Sequence, residues 1–123
     1  MSNNDEVSVL VVDDSTDLAE AVGLLLTAKG YSVRTATDGA AALALIAEAA
    51  PHCVILDVRM PNMDGHEFAR HLRAQYRDDI VLIAISGHAS TDPEVMATFN
   101  IVDHYLQKPL DFAELDRILP HLA

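Results

Sequence analysis

The feature that most constrains how this chain can fold is a fivefold alternation of short, β-branched apolar runs with segments of helical apolar spacing. Strands are predicted over residues 7–12, 31–36, 53–56, 80–85 and 102–106. The first, third and fourth runs are almost continuously apolar, which is typical of strands covered on both faces. The alternation therefore predicts a parallel sheet with helices packed on both sides.

Five amphipathic helices are predicted between and after these strands. The apolar residues expected to face the core are Leu18, Val22, Leu25 and Leu26; Leu43, Ile46, Ala47 and Ala50; Phe68, Leu72 and Tyr76; and Leu115, Ile118, Leu119 and Leu122. Gly30 stands where a C-terminal cap belongs. Asp92 and Pro93 are a typical start for the fourth helix, and Asp111 with Glu114 resembles a capping box.

The length of 123 residues suits one domain, over residues 1–123. Five strand–helix units with short links predict an α/β fold: a five-stranded, doubly wound parallel sheet of order 2-1-3-4-5, flanked by five helices (flavodoxin-like). In such sheets, ligands bind outside the carboxyl ends of the strands, where the strand order reverses. The first and third strands flank that position, so candidate functional residues are sought there.

The composition narrows the partners and the location of the chain. Nineteen acidic residues against eight basic ones give a net charge of −11, which disfavours direct binding of nucleic acid or of an anionic membrane. The same charge attracts divalent cations and basic protein surfaces. Cys53 is the only cysteine, inside an apolar run, so a buried and inert thiol is expected. No signal peptide or membrane span is recognisable, so a cytoplasmic location is expected.

Polar side chains stand at the carboxyl ends of four predicted strands. Asp13 and Asp14 follow the first strand, Asp57 the third, Ser86 the fourth and Lys108 the fifth. Each has an ordinary alternative: the aspartate pair could cap a helix N-terminus, and the serine could open a loop. Because all five fall on one edge of one sheet, we expect them to converge on a single cleft.

Three carboxylates in one cleft need compensation. Two of them about 4 Å apart repel by roughly 4 kcal/mol at an effective dielectric near 20, so the cluster either raises a pKa or holds a cation. Oxygen ligands of this kind suit Mg²⁺. With a metal present, one carboxylate can attack phosphorus and form an aspartyl phosphate. Lys108 would neutralise one phosphoryl oxygen, and Ser86 would offer a hydrogen bond to another.

Four motifs, in this order and at these intervals, resemble the response-regulator receiver domains of two-component signalling (CheY-like) across nearly the whole chain. They are VLVVDD at residues 9–14, ILDVRMPNMDG at 55–65, AISG at 84–87 and YLQKP at 105–109. The resemblance implies a phosphorelay signalling domain that is not an enzyme in the ordinary sense. It also implies self-phosphorylation from small donors and autodephosphorylation.

The resemblance implies roles for individual residues. Asp57 matches the phosphoacceptor, and Asp14 and Asp57 match the two carboxylates that bind Mg²⁺. The backbone carbonyl of Arg59 matches a third metal ligand, and Asp13 is expected to support the metal through water. Lys108 matches the lysine that contacts the phosphoryl group.

The resemblance also implies a switch and its partners. Ser86 matches a switch hydroxyl, and Tyr105 matches the aromatic residue that changes rotamer with it. The donor would be a sensor histidine kinase or a histidine phosphotransfer protein. The recipient would be a downstream protein or output domain at the face of the fourth helix, fifth strand and fifth helix. Apart from the resemblance, Arg59 and His88 each lie two residues beyond a cleft residue, so their side chains are expected to shield the phosphoryl group. The chain departs from many relatives near the end of the fourth helix, where they carry a glycine and this stretch contains Asn100.

Two other functions are compatible with parts of this pattern. An aspartyl-phosphate phosphohydrolase would need a second acidic residue two positions after Asp57 for proton transfer. That position holds Arg59, which does not transfer protons at neutral pH. A degenerate receiver that acts as a phosphorylation-independent interaction module usually loses an acidic residue or the lysine, and this chain keeps them.

Overall fold

The computed structural model describes residues 7–58, 65–77, 79–86, 101–107 and 111–119. Within them lie five strands and four helices: β1 (Ser8–Val12), α1 (Thr16–Ala28), β2 (Ser32–Ala36), α2 (Gly39–Glu48), β3 (Cys53–Asp57), α3 (Gly65–Tyr76), β4 (Val81–Ser86), β5 (His104–Gln107) and α4 (Phe112–Ile118). The helix predicted from Asp92 lies outside the described residues, so α4 here is the helix predicted as the fifth.

The five strands form one parallel sheet in the order β2-β1-β3-β4-β5, which confirms the predicted flavodoxin-like architecture. Val12 of β1 is the register partner of Leu56 of β3, and Asp57 is the partner of Ile85 in β4. The strand order reverses between β1 and β3, because β2 lies on one side of this pair and β4 on the other. The carboxyl ends of β1 and β3 therefore border the crevice expected of this fold.

Successive residues of the central strands point to opposite faces of the sheet, and each face carries its own hydrophobic layer. One layer includes Leu10, Val54, Leu56 and Leu82 of the sheet with Ile46, Phe68 and Leu72 of α2 and α3. The other includes Val9, Val11, Ile55 and Ile83 with Val22, Leu26, Leu115 and Leu119 of α1 and the end of α4. The sheet is thus covered on both sides, which explains the continuous apolar runs in the sequence.

The C-terminus of α1 is capped at Gly30, as the sequence predicts. Gly30 has a φ of 101°, in the left-handed region that glycine adopts without steric cost. Its amide donates to the carbonyl of Thr27 at 3.0 Å, and the amide of Tyr31 donates to the carbonyl of Leu26 at 3.1 Å. This pair of hydrogen bonds is a Schellman motif, and it turns the chain directly into β2.

For two helices, the prediction of which apolar residues face the core is partly wrong. Leu25 is 40% exposed, and Ala47 and Ala50 are also exposed. In α1, the buried residues include Ala19 and Gly23, and an added Cβ at Gly23 would lie 3.4 Å from Cγ2 of Thr35, so this face packs against β2. Leu25 lies two residues further, about 200° around the helix, and therefore points towards solvent. Both helices are apolar around much of their circumference, so periodicity alone did not define the buried face.

The strand boundaries differ from the predicted ones by one or two residues. Asp57 and Ser86 are the last residues of β3 and β4 instead of following them, and β5 runs from His104 to Gln107 instead of over residues 102–106. The two polar side chains are therefore fixed by the sheet itself. None of the helices in the described part of the chain is long and apolar enough to cross a bilayer.

Candidate functional site

Three carboxylates meet at the carboxyl edge of the sheet. One oxygen from each of Asp13, Asp14 and Asp57 lies within 4.8 Å of the others. Asp13 and Asp57 are buried, with 4% and 7% of their surface exposed, whereas Asp14 is exposed. The cluster thus has two desolvated carboxylates at its base and one at its mouth.

The turn between β1 and α1 determines where the two neighbouring aspartates point. The amide of Asp13 donates to the carbonyl of Ala36 at 3.1 Å, and Oδ1 of Asp13 accepts the amide of Ser15 at 2.9 Å. The hydroxyl of Ser15 in turn accepts the amide of Leu18 at 3.3 Å. Ser15 is therefore the N-cap of α1, and the alternative that the aspartate pair caps this helix is wrong.

Asp57 and Ser86 end neighbouring strands of the sheet. Asp57 is paired with Ile85, and the amide of Val58 donates to the carbonyl of Ile85 at 3.0 Å, so this ladder continues past the carboxylate. Ser86 is 1% exposed. Ser86 directly follows Ile85, the register partner of Asp57. Its strand, β4, lies on the side of Asp57 away from β1.

Tyr105 lies one strand further along, in β5. It is the register partner of Ala84, and its half-buried side chain packs against the buried pair of Val58 and Ala84. Because Val58 directly follows Asp57 in the chain, the aromatic ring contacts the segment that leaves the carboxylate cluster. The structure therefore places Tyr105 against the residue that directly follows Asp57.

Leu122, predicted to face the core, lies outside the described residues, and so do the candidate positions Arg59, His88, Asn100 and Lys108. The expectations for these residues therefore stay predictions. Of the described site residues, Asp13, Asp14, Asp57 and Ser86 occupy the crevice edge.

The donor set of the cluster fits a hard divalent cation. Carboxylate oxygens within 4.8 Å of one another repel when ionised, and burial of Asp13 and Asp57 weakens the screening by water. A cation offsets both costs. Mg²⁺ suits such a site, because it takes oxygen ligands, binds through one or two carboxylates and keeps several waters.

Cys53 does not belong to this site. It begins β3, at the strand end opposite Asp57, and it is completely buried. Burial raises the pKa of its thiol, and the carboxylate of Asp103 raises it further. The prediction of a buried thiol is confirmed.

Arg73 of α3 forms a network that the sequence did not indicate. Its Nε donates to the carbonyl of Ile101 at 2.7 Å, and Nη1 donates to the carbonyls of Arg77 and Ile80 at 2.8 and 3.0 Å. Its Nη2 lies 2.7 Å from Oδ2 of Asp103. Ile80 and Asp103 lie seven and thirty residues after Arg73 in the sequence, so no local pattern around Arg73 could have revealed these contacts.

The chain matches the family model of the response regulator receiver domain over residues 9–119. The curated relatives include response regulator MprA of Mycobacterium sp. (strain KMS), which is 40% identical over 109 residues. That match covers 89% of this chain and 47% of the relative, so the chain spans about half the length of the curated relatives it matches. Response regulator MprA of Mycobacterium bovis (strain BCG / Pasteur 1173P2) is 38% identical over 109 residues, with the same coverage of both chains.

Solved structures give the same result. A response regulator receiver domain (CheY-like) from Methylobacillus flagellatus has a TM-score of 0.82 and 28% identity, with 95% of this chain and 98% of that chain covered. The response regulator TrrA of Thermotoga maritima, solved in complex with Mg(2+)-BeF, has a TM-score of 0.81 and 29% identity, covering 95% and 99%. With its sheet order, its acidic cluster and these similarities, this chain belongs to the family of response regulator receiver domains.

Proposed function

We propose that residues 1–123 form one receiver domain that accepts a phosphoryl group from a phosphohistidine donor onto Asp57. The donor would be a sensor histidine kinase or a histidine phosphotransfer protein. The observation that carries the proposal is the position of Asp57, a buried carboxylate at the end of the central strand β3 and inside a cluster of three carboxylates.

The surroundings of the three carboxylates support the assignment of Asp57 as the nucleophile. Oδ1 of Asp13 accepts the amide of Ser15 and holds the turn before α1, and Asp14 is exposed at the mouth of the cluster. Asp57 lies between Asp13 and Ser86 at the edge of the sheet. In the proposed step, an oxygen of Asp57 forms a bond to phosphorus while the bond between phosphorus and the histidine nitrogen of the donor breaks.

The aspartate cluster would hold Mg²⁺ for this step. Asp14 and Asp57 are the proposed direct ligands, with the carbonyl of Arg59 as a third and Asp13 in support through water. When bound, Mg²⁺ supplies positive charge that offsets the carboxylates and the phosphoryl oxygens. Lys108 is proposed to neutralise a further phosphoryl oxygen.

Phosphorylation is proposed to act on the face made by the predicted fourth helix, β5 and α4, the helix predicted as the fifth. The hydroxyl of Ser86 would donate a hydrogen bond to a phosphoryl oxygen, and Tyr105 would turn inward to follow it. The contact of Tyr105 with Val58 and Ala84 supports this order of events, since the ring already borders the segment next to Asp57. The changed face would then control a downstream protein or an output domain.

We further propose phosphorylation from small acyl phosphates, autodephosphorylation, and shielding of the phosphoryl group by Arg59 and His88. The experiment for the proposed function is incubation with a small acyl phosphate and Mg²⁺, followed by intact mass measurement. We expect one added phosphoryl group in the native chain and none in Asp57→Asn. Equal labelling of the Asp57→Asn variant would refute the assignment, and a native chain that takes up no phosphoryl group would favour a phosphorylation-independent interaction module.

A further inference from the structure

The start of β5 is held by a network that we call the Arg73 clamp, comprising Arg73, Ile101 and Asp103. Arg73 donates to the carbonyl of Ile101 from Nε and to the carboxylate of Asp103 from Nη2, both at 2.7 Å. The Arg73 side chain is 19% exposed, so water screens this ion pair less than it screens a pair on the open surface. The clamp joins α3 to the two residues on either side of Val102, directly before β5.

Asp103 connects the clamp to the neighbouring strand. Its carboxylate Oδ2 accepts the amide of Leu82 at 2.8 Å, and its own amide donates to the carbonyl of Leu82 at 2.9 Å. Leu82 lies in β4 and is completely buried. A buried amide without a partner costs about 1–3 kcal/mol, so the carboxylate is strongly held at this position.

The clamp matters because it adds a side-chain contact at the start of a short strand whose register is otherwise set by its pairing with β4 and by the buried Leu106. This strand, β5, has four residues and lies at the edge of the sheet, so only β4 pairs with it. A shift of one residue would move every side chain of a strand to the opposite face. Asp103 fixes the register of Ile83 with His104 and of Ala84 with Tyr105 by binding both backbone groups of Leu82.

The register decides where the ring of Tyr105 lies. In the observed register the ring packs against Val58, next to Asp57, and against Ala84, two residues before Ser86. We propose that Arg73 is a positioning residue for the switch: by fixing Asp103 and the start of β5, it holds Tyr105 where a change at Asp57 moves the ring. The inference rests on the proposed function in that this change is taken to be phosphorylation.

The test uses the full chain, Mg²⁺ and beryllofluoride as the phosphoryl mimic. Ring labelling of the three tyrosines, with assignment by Tyr105→Phe, reports the environment of Tyr105. The fluorine signal of bound beryllofluoride reports occupancy of the acidic site independently. The variants are Arg73→Gln, Arg73→Lys and Asp103→Asn. The matched control is Arg70→Gln, on the same helix, whose Arg70–Glu67 pair is exposed and 3.5 Å apart.

In Arg73→Gln, we expect bound beryllofluoride at saturation as in the native chain, with the chemical-shift response of Tyr105 reduced below about half. Asp103→Asn should behave similarly, Arg73→Lys should restore part of the response, and Arg70→Gln should respond fully. A residue that only contributed stability would lower the unfolding midpoint without changing this response. A full Tyr105 response in Arg73→Gln would overturn the proposal.

A second measurement, without any ligand, separates this inference from the proposed function. In Arg73→Gln, amide hydrogen exchange at Leu82 should accelerate about tenfold more than exchange at Ile55 in the central strand β3. Equal acceleration at both amides would show that Arg73 does not hold β5, and would overturn the inference. Absence of beryllofluoride binding in the native chain would contradict the proposed function, and the exchange ratio would still decide the role of Arg73. Should Arg73→Gln fail to fold, Arg73→Lys and Asp103→Asn carry both measurements.

Discussion

Asp13 and Asp57 leave the sheet side by side, because each follows one member of the register pair formed by Val12 and Leu56. Their positions are therefore fixed by backbone hydrogen bonds of the sheet, since the amide of Asp13 donates to Ala36 of β2 and the amide of Val58 donates to Ile85 of β4. Asp14 joins them through the turn that Asp13 makes with Ser15. A site built this way holds its carboxylates together despite their mutual repulsion.

The unequal environments of the two neighbouring aspartates predict unequal effects on metal binding. We expect Asp14→Ala to weaken Mg²⁺ binding by more than Asp13→Ala, since Asp14 is the proposed direct ligand and Asp13 acts through water. In the metal-free protein, Asp13→Ala removes the acceptor of the Ser15 amide, which costs about 1 kcal/mol, but it also removes one of three mutually repelling carboxylates, which offsets that cost. Metal titrations and urea unfolding of both variants test this, and equal losses of Mg²⁺ affinity would count against the assignment.

Phosphorylation should be sensed by the segment that enters and forms β5. We expect amide chemical shifts of residues 101–106 to change when the phosphoryl group or a mimic is bound, since Tyr105 packs against Val58 beside Asp57. Residues 32–36 of β2, at the far edge of the sheet, serve as an internal control. Shifts in 101–106 that stay fixed while the acidic site is occupied would refute the proposed switch.

Much of the fold could be predicted from the sequence because its signals are local. Strand runs, the Gly30 turn and the Asp111 N-cap each depend on neighbouring residues. Parallel order then follows from general rules of connection. What could not be predicted depends on partners distant in the sequence, such as the packing of Gly23 in α1 against Thr35 in β2.

The same reasoning explains why the carboxylate site was easier to predict than the Arg73 clamp. Asp13, Asp14 and Asp57 are all placed by the ends of predicted strands, so a topology rule brings them together. Arg73 lies on α3 and binds Asp103 thirty residues later. An arginine on a predicted helix is ordinarily solvated, and only the folded backbone shows the carbonyls it binds.

Arg34 of β2 also binds groups that are distant in the sequence, so we expect its replacement to lower the stability of the fold measurably. Its Nη1 and Nη2 donate to the carbonyls of Leu45 and Ala49 at 2.8 and 2.6 Å, at the end of a helix without a basic residue in its last turn. We expect Arg34→Ala to lower the free energy of unfolding by about 1–2 kcal/mol. Arg70→Ala, on an exposed face, should change it by less than about 0.5 kcal/mol. Equal effects of Arg34→Ala and Arg70→Ala on the free energy of unfolding in urea would show that Arg34 does not stabilise the C-terminus of α2.

The buried thiol of Cys53 predicts how stability changes at alkaline pH. Burial raises its pKa in the folded state, with a smaller contribution from Asp103, whereas an exposed cysteine in the unfolded chain titrates near about 8.5. Above that pH the unfolded chain releases the proton and the folded chain keeps it. The contribution of the thiol to stability is therefore full below about pH 8.5 and is lost as the pH rises, by at most about 1.4 kcal/mol per pH unit.

The variant Cys53→Ala isolates this effect. It should be less stable at neutral pH, because it leaves a small cavity at a completely buried position. Between pH 8 and 10, however, its free energy of unfolding should fall less steeply than that of the native chain, with all other titrating groups unchanged. Parallel slopes in the two proteins would show that the thiol ionises equally in both states.

Shielding of the phosphoryl group is a separate prediction. We expect the Arg59→Ala, His88→Ala double variant to lose phosphate faster than the native chain, because smaller side chains would admit an attacking water more readily. The measurement is the first-order decay of phosphorylated protein at fixed Mg²⁺ and pH after removal of the donor. Equal decay, or slower decay in the variant, would show that these residues do not shield the bond.

The location of the phosphoryl group tests the central claim most directly. Borohydride reduces an aspartyl phosphate to homoserine, so peptide mapping of the reduced, phosphorylated chain identifies the modified residue. We expect homoserine at position 57 alone, and only when Mg²⁺ and the donor were both present. Homoserine at position 13 or 14, or a stable phosphoryl group on a residue other than an aspartate, would contradict it.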